Sequence, residues 1–300
     1  MNQVTNDRVI SHRKIVVLGA GGRLGAALVR EFSAHNQVTG LSHSQLDLSQ
    51  LDNLRATLEA MPFDTLINAA ALTNVDYCED HRAEAFLLNA EAPQVLARLC
   101  HEKGARFIHV STDYVFDGEQ RVPYAEDDPA RPISVYGESK REGEVRVLQD
   151  NDHALVIRVS WVFGPDRPSF IDAILKRART EEDVAAVADK FSTPTYTPDI
   201  AALLRPFLDC STTGGILHLA NRGACSWQEY AQWALDCCRR FGIPMAAKQV
   251  GAVSLSEMKN FVARRPVYTV LGTQKYERLL GSPPRDWRLA VSDYVRDYYR

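Results

Sequence analysis

Residues 14–32 read K-I-V-V-L-G-A-G-G-R-L-G-A-A-L-V-R-E-F, and this stretch decides the fold. Residues 14–18 have the length and β-branched content of a short buried strand, and they run straight into glycines and then into an apolar helical pattern. Strand, glycine turn and helix, in that order, open a nucleotide-binding α/β domain. The spacing G-x-G-x-x-G fails because Leu24 takes the third glycine slot. G-x-x-G-x-x-G fits instead, on Gly19, Gly22 and Gly25. Gly19 allows the tight turn, Gly22 lets the backbone approach a pyrophosphate, and Gly25 lets the helix pack closely on the sheet. The first N–H groups of that helix then face the phosphates.

Working outward, residues 37–41 read as a second strand. A site specific for NAD places an acidic residue after it to hold the ribose 2′-hydroxyl, but here the chain has Ser42, His43 and Ser44. With no carboxylate there and Arg23 in the glycine turn, NADPH is the expected cofactor and NADH is tolerated. Asp47 either accepts from the adenine amino group or caps the next helix through the turn at Ser49. Leu24 and Leu48 are assigned to the same cofactor wall. Residues 63–68 form a third strand ending N-A-A-A-L-T. Ala69 and Ala70 are small enough for a flat cofactor to lie against backbone, and Asn68 and Thr73 can bond ribose or phosphate, unless the turn serves only tight packing. A helical region follows over 80–103, with Pro93 opening its second half. Asn89 inside it needs a partner, and fixing a neighbouring loop is its expected work.

The chemistry is expected in residues 107–140, which read F-I-H-V-S-T-D-Y-V-F-D-G and later Y-G-E-S-K. An apolar run that breaks into Ser111, Thr112 and Asp113 is a buried parallel strand opening at its carboxyl end into a ligand crevice. Tyr136 and Lys140 are four apart on a predicted helix, so phenol and ammonium share one face. An ammonium about 5 Å away at an effective dielectric of about 20 is worth roughly 3 kcal/mol, a little over two pKa units, which would make Tyr136 a usable acid. His109 reads as a packed core residue. Residues 154–159 are another buried strand, and beyond Phe163 the clean alternation of strand and helix stops. The expected organisation is a loose arm over 1–12, a Rossmann-type NAD(P)-binding domain over 13–163 and a smaller mixed α/β substrate-binding lobe over 164–300, with room for that lobe to return a helix or strand to the first. The fold class is α/β, built on a doubly wound parallel sheet.

Composition excludes several alternatives. A net charge of -3 over 300 residues gives no global reason to bind nucleic acid or an anionic membrane. Cys78, Cys100, Cys210, Cys225, Cys237 and Cys238 show no C-x-x-C spacing, so reduced buried thiols are expected, and the histidines show no metal-ligand spacing. The first dozen residues lack the apolar core of a signal peptide and no stretch is long enough to span a bilayer, so a cytoplasmic location is expected.

Seven blocks together carry a resemblance: G-A-G-G-R-L-G, N-A-A-A-L-T-N-V-D, S-T-D-Y-V-F-D-G, Y-G-E-S-K-R-E-G-E, R-V-S-W-V-F-G, P-T-Y-T-P-D-I-A and A-R-R-P. The chain resembles the extended short-chain dehydrogenases/reductases and, within them, the dTDP-4-dehydrorhamnose reductase family. That resemblance implies hydride transfer from NADPH to C4 of a nucleoside-diphosphate 4-keto-6-deoxyhexose. It places the catalytic Thr, Tyr and Lys on Thr112, Tyr136 and Lys140, and it sets Asp113, Tyr114, Trp161 and Arg265 near the sugar nucleotide. By its residue type alone, Trp161 offers a flat face for sugar or base or fills the core, and Arg265 anchors a diphosphate or makes an interface salt bridge. A 4,6-dehydratase is disfavoured because Tyr114 stands where related dehydratases carry a glutamate. The remaining alternatives are another nucleotide-sugar reductase or epimerase, or an NADP-binding regulatory subunit like that of methionine adenosyltransferase. The apolar carboxyl-terminal helices offer a homodimer contact.

Overall fold

The structure, a computed structural model, describes residues 12–208 and 213–299. The arm expected over residues 1–12 lies outside the described residues except for His12, and so does Cys210. The first half of the chain alternates strand and helix: β1 (Lys14–Leu18), α1 (Arg23–Ser33), β2 (Gln37–Leu41), α2 (Leu51–Glu59), β3 (Thr65–Asn68), α3 (Val75–Asp80), α4 (Arg82–Phe86), α5 (Ala92–Lys103), β4 (Arg106–Thr112), α6 (Val135–Asp150) and β5 (Leu155–Val159). The helical region expected over 80–103 is present from residue 82, and Pro93 stands in the first turn of its second half. A π-turn at Leu87–Glu91 joins α4 to α5, because Pro93 has no N–H to give to the Asn89 carbonyl.

The second half continues with β6 (Val162–Phe163), α7 (Phe170–Ala178), β7 (Val184–Val187), β8 (Phe191–Ser192), β9 (Thr195–Tyr196), α8 (Thr197–Leu204), β10 (Gly215–His218), β11 (Cys225–Ser226), α9 (Trp227–Arg240), β12 (Val250–Val253), α10 (Gln274–Leu280) and α11 (Trp287–Tyr298). Among the described residues the main sheet has the order β10-β5-β4-β3-β1-β2, every neighbour pair parallel. β10 comes from the second half of the chain and extends the sheet beyond β5 in the register Ile216↔Val156.

Alternation along β1 shows why both faces of this sheet must be covered. Ile15 and Val17 pack with Leu28 and Phe32 of α1 and with Ile200 and Leu204 of α8. Val16 and Leu18 turn the other way, onto Leu54 and Leu58 of α2 and Leu96 of α5. Each such side chain, fully buried, contributes about 1.5–3 kcal/mol, so neither helix layer can be removed without exposing the strands. The remaining elements form a separate apolar cluster in which Phe163, Ile171 and Tyr230 meet Trp287 and Val291. Short two-stranded pairs, β6 with β9, β8 with β11 and β7 with β12, edge that lobe.

Candidate active site

A cleft of about 970 Å³ runs along the carboxyl ends of β1, β3 and β4. It opens where the chain has laid β2 on one side of β1 and β3 on the other, the point at which open α/β sheets leave a crevice. Gly19 and Gly22 line it. Gly19 has φ +80, and a Cβ on it would lie 2.7 Å from the Ala70 nitrogen. A Cβ on Gly25 would lie 2.1 Å from the Gly19 carbonyl oxygen, so this glycine is the packing contact between helix and turn and does not face the cleft. The amino end of α1 has no side-chain cap and no acidic residue in its first turn. Its N–H donors are therefore available to a phosphate, and the turn fits a dinucleotide.

Leu24, Ser42, His43 and Leu48 continue the cofactor side of the cleft, and Ala69, Ala70 and Thr73 form the β3 side. Asn89 holds that side in place: it accepts from the Leu72 N–H at 2.9 Å and donates to the Leu72 carbonyl at 3.0 Å and to Ser139 Oγ at 3.0 Å. The wall is thus tied to α6. Three other residues expected at the cofactor behave differently. Arg23 borders the cleft, but its guanidinium donates to the carbonyls of Val162 at 3.0 Å, Arg167 at 3.0 Å and Pro168, so it clamps the glycine turn to the following lobe. Asp47 accepts from the Ser49 N–H at 2.9 Å in a local turn and does not line the cleft. Asn68 is fully buried beneath the cleft, accepting from the Ala70 N–H at 3.1 Å and meeting His109 Nδ1 at 3.2 Å.

The cation beside the end of β2 is one that the sequence did not single out. Arg167 lines the cleft and its Nε donates to the Gly21 carbonyl at 2.9 Å. A methyl group on Gly21 would stand 3.5 Å from Ser42 Cβ and 4.0 Å from Arg167 Nη2, so both side chains border the glycine turn at the end of β2. A lone arginine in G-P-D-R-P-S offers no signal beyond its charge.

Thr112, Tyr136 and Lys140 converge on the inner end of the cleft. Ser134 caps α6 by accepting from the Gly137 N–H at 3.3 Å, which puts Tyr136 in the first turn and Lys140 one turn on. Thr112 ends β4, where its hydroxyl accepts from the Tyr114 N–H at 3.2 Å, donates to Asp113 Oδ1 at 3.2 Å and favours the ionised form of the Tyr136 phenol. The electrostatics differ from the simple pair. Burial pushes the Tyr136 phenol well up, against the help of Thr112 and with the Asp113 charge adding to it. Lys140 gives no relief, because its Nζ lies 2.7 Å from the Val110 carbonyl oxygen and 3.4 Å from His109 Nε2. Burial lowers Lys140 to about 8 against the attraction of Glu144. The expected depression of the phenol by its neighbour is therefore not present; a long flexible stem has let the amine bond the strand instead.

Behind this group, Glu144 is fully buried yet ionised. Burial would raise its carboxyl, but Arg158 at 2.8 Å on both oxygens, Ser111 at 2.6 Å and Arg141 at 2.9 Å hold it below its ordinary value. Asp113 borders the cleft, but its carboxylate is engaged. Oδ2 accepts from Ser160 at 3.0 Å, Ser192 at 3.0 Å and Thr269 at 2.6 Å, and Oδ1 accepts from Thr112 at 3.2 Å. It is a knot joining the two halves of the chain, not a free substrate ligand. Tyr114 meets Tyr136 edge-on with centroids 5.6 Å apart, and buried Lys190 lies 5.1 Å from the centre of the Tyr114 ring.

Trp161 lines the cleft and stacks on Tyr230 at 6.4 Å. It is the non-glycine residue with positive φ among the described residues, at φ 38, a strained backbone that the tight passage from β5 to β6 imposes. Arg265 does not line the cleft. It pairs with Asp76 at 2.7 Å and lies 4.7 Å over the Phe261 ring, while the same carboxylate accepts the N–H groups of Val262 and Ala263 at 2.9 Å. The salt bridge that forms is one within the chain.

The sequence matches the family described as the RmlD substrate binding domain over residues 13–300. It is 35% identical to the spore coat polysaccharide biosynthesis protein SpsK of Bacillus subtilis, over 95% of this chain and 97% of that one. It is 34% identical to the dTDP-4-dehydrorhamnose reductase of Burkholderia thailandensis, over 95% and 98%. Its structure superposes with TM-score 0.89 on the dTDP-4-dehydrorhamnose reductase of Bacillus anthracis in complex with NADP, at 26% identity, covering 95% of this chain and 99% of that one.

Proposed function

The chain belongs to the family of the RmlD substrate binding domain, and from that premise we propose that its own residues carry out NADPH-dependent reduction of the C4 ketone of a nucleoside-diphosphate 4-keto-6-deoxyhexose, foremost dTDP-4-dehydro-L-rhamnose. The observation that carries the reading is the convergence of Thr112, Tyr136 and Lys140 on one cleft whose other end is the glycine turn. A reduced nicotinamide bound there supplies the hydride to the carbonyl carbon. Tyr136 gives its proton to the oxygen as charge develops on it. That transfer stays downhill even for a phenol raised by burial, because an alkoxide is a much stronger base than a phenolate. Thr112, which lines the same end of the cleft, can turn its hydroxyl from Asp113 to the carbonyl oxygen and share it. Lys140, lowered to about 8, takes up and releases a proton close to neutral pH, and its charged form restores one to the phenol side of the site.

The amino end of α1 receives the pyrophosphate, and Arg167 with Ser42 and His43 receives the ribose 2′-phosphate at the end of β2. Trp161 and Tyr114 present flat faces to the sugar nucleotide. A cytoplasmic workplace belongs to the same reading, since the described cysteines are buried and reduced, as a reducing compartment keeps them. Among the described residues no helix is long and apolar enough to cross a membrane. A homodimer contact on the carboxyl-terminal helices would use Leu279 and Leu289, both exposed.

The test is incubation with NADPH and dTDP-4-dehydro-L-rhamnose, following loss of reduced-cofactor absorbance and the C4 stereochemistry of the product by NMR. Steady turnover to dTDP-L-rhamnose is expected. Tight NADPH binding with no consumption of the ketone would remove the reductase reading.

A further inference from the structure

Asn68, His109 and Lys140 form a buried polar row beneath the inner end of the cleft, at 0%, 0% and 2% exposure. We infer that His109 is a positioning residue for the proposed catalytic lysine: its tautomer is fixed by Asn68, and its Nε2–H holds the Lys140 amine against β4 as an uncharged hydrogen-bond acceptor.

Donor and acceptor accounting leads there in three steps. The Asn68 side chain accepts from the Ala70 N–H at 3.1 Å, which only its carbonyl oxygen can do. Its NH₂ group therefore faces His109 Nδ1, 3.2 Å away, and Nδ1 must be the acceptor. Burial holds His109 well below its ordinary value, so the ring is neutral and its single hydrogen sits on Nε2. That hydrogen points at Lys140 Nζ, 3.4 Å away. An ammonium has three hydrogens and no lone pair, and would set hydrogen against hydrogen. A neutral amine accepts from Nε2 and still donates to the Val110 carbonyl oxygen at 2.7 Å.

The groups around the amine agree. From its own helix, Tyr136 is held protonated by burial, and Glu144 favours the charged form, but that carboxylate is already engaged by Arg158 on β5, by Arg141 and by Ser111. From β4 come His109 and the Val110 carbonyl. Taking up a proton costs Lys140 the bond from His109, and the ammonium must find acceptors elsewhere. Tyr136, one turn back on the same helix face, is a group that gains from its charge. The lysine thus has two coupled states, neutral on the strand and charged towards the phenol, and His109 sets the pH at which they exchange.

The inference rests on the proposed role of Lys140, and three measurements separate the two. Nitrogen NMR of histidine-labelled protein is expected to show His109 as the neutral Nε2–H tautomer at pH 7; an Nδ1–H tautomer or an imidazolium overturns the inference. In the pH profile of kcat, the alkaline limb that reports loss of the ammonium is expected to move up by about one unit in His109→Leu, the tenfold change that one lost hydrogen bond produces. His109→Gln keeps a donor towards Lys140 and is expected to leave the limb in place. A limb unmoved in His109→Leu, or moved equally in both variants, overturns the inference. Full turnover in Lys140→Met would instead remove the lysine from the reaction, while the tautomer by NMR would still decide what His109 does.

Discussion

Arg167→Gln is the sharpest test of how the cofactor is chosen. The side chain does two things that separate experimentally. Its Nε donates to the Gly21 carbonyl at 2.9 Å and so braces the glycine turn, a contact that serves any dinucleotide. Its guanidinium also lines the cleft that Ser42 lines, where the proposed 2′-phosphate of NADPH, absent from NADH, would meet it. A hydrogen bond to a charged partner contributes about 1.5–3 kcal/mol, and the exposure of Arg167 brings the expectation to roughly 1–2 kcal/mol. NADPH affinity should therefore fall about 5- to 30-fold relative to NADH affinity. Loss of the brace should weaken both cofactors by a common, smaller factor. Fluorescence titration of parent and variant with each cofactor reads the ratio directly. Repeating it at high salt should shrink the difference, because an exposed charge pair is screened. Equal weakening of NADPH and NADH would reduce Arg167 to a brace. An Arg23→Gln variant that changed the ratio while Arg167→Gln did not would restore the cation of the glycine turn to the 2′-phosphate.

Tyr136→Phe should leave NADPH affinity within about twofold and cut turnover at least about a hundredfold, since it removes a positioned acid and little else; stopped-flow single turnovers check it. Asp113→Asn replaces a carboxylate oxygen that three hydroxyls share, from Ser160, Ser192 and Thr269, and should cost about 2–4 kcal/mol in urea unfolding, with turnover per folded molecule falling less than stability does. Lys140→Met should stabilise the fold at neutral pH. Folding lowers Lys140 from 10.5 to about 8, so the native state binds that proton less tightly than the unfolded chain, at a cost of about 3 kcal/mol that is fully present below pH 8 and fades as pH rises towards 10.5. The stability difference between Lys140→Met and parent should narrow from pH 8 to pH 10 in denaturant titrations; a constant gap would mean the lysine is charged in both states.

The parts of this molecule legible in the sequence are those made by neighbours along the chain. The order strand, glycine turn, helix at residues 14–32, the break of β4 at Ser111 and Thr112, and the spacing of Tyr136 and Lys140 each depend on contacts within about one turn or one strand, where periodicity dictates the geometry. What the spacing does not carry is the choice of partner by a long side chain. Arg23 finds carbonyls at positions 162, 167 and 168, and backbone oxygens have no sequence signature. Arg265 finds Asp76, 189 positions earlier in the chain, and Asp113 gathers hydroxyls from 47, 79 and 156 positions away. Lys140 shows the limit most clearly. Helical spacing sets its Cα and the direction of its stem relative to Tyr136, yet four flexible bonds leave the amine free to choose between phenol and strand. The choice is made by Val110 and His109, thirty residues back, and by an asparagine on β3 that decides which ring nitrogen carries the hydrogen. A Y-x-x-x-K pattern therefore specifies where an acid and an amine can meet, while the protonation that makes them a pair is written in the adjacent strands.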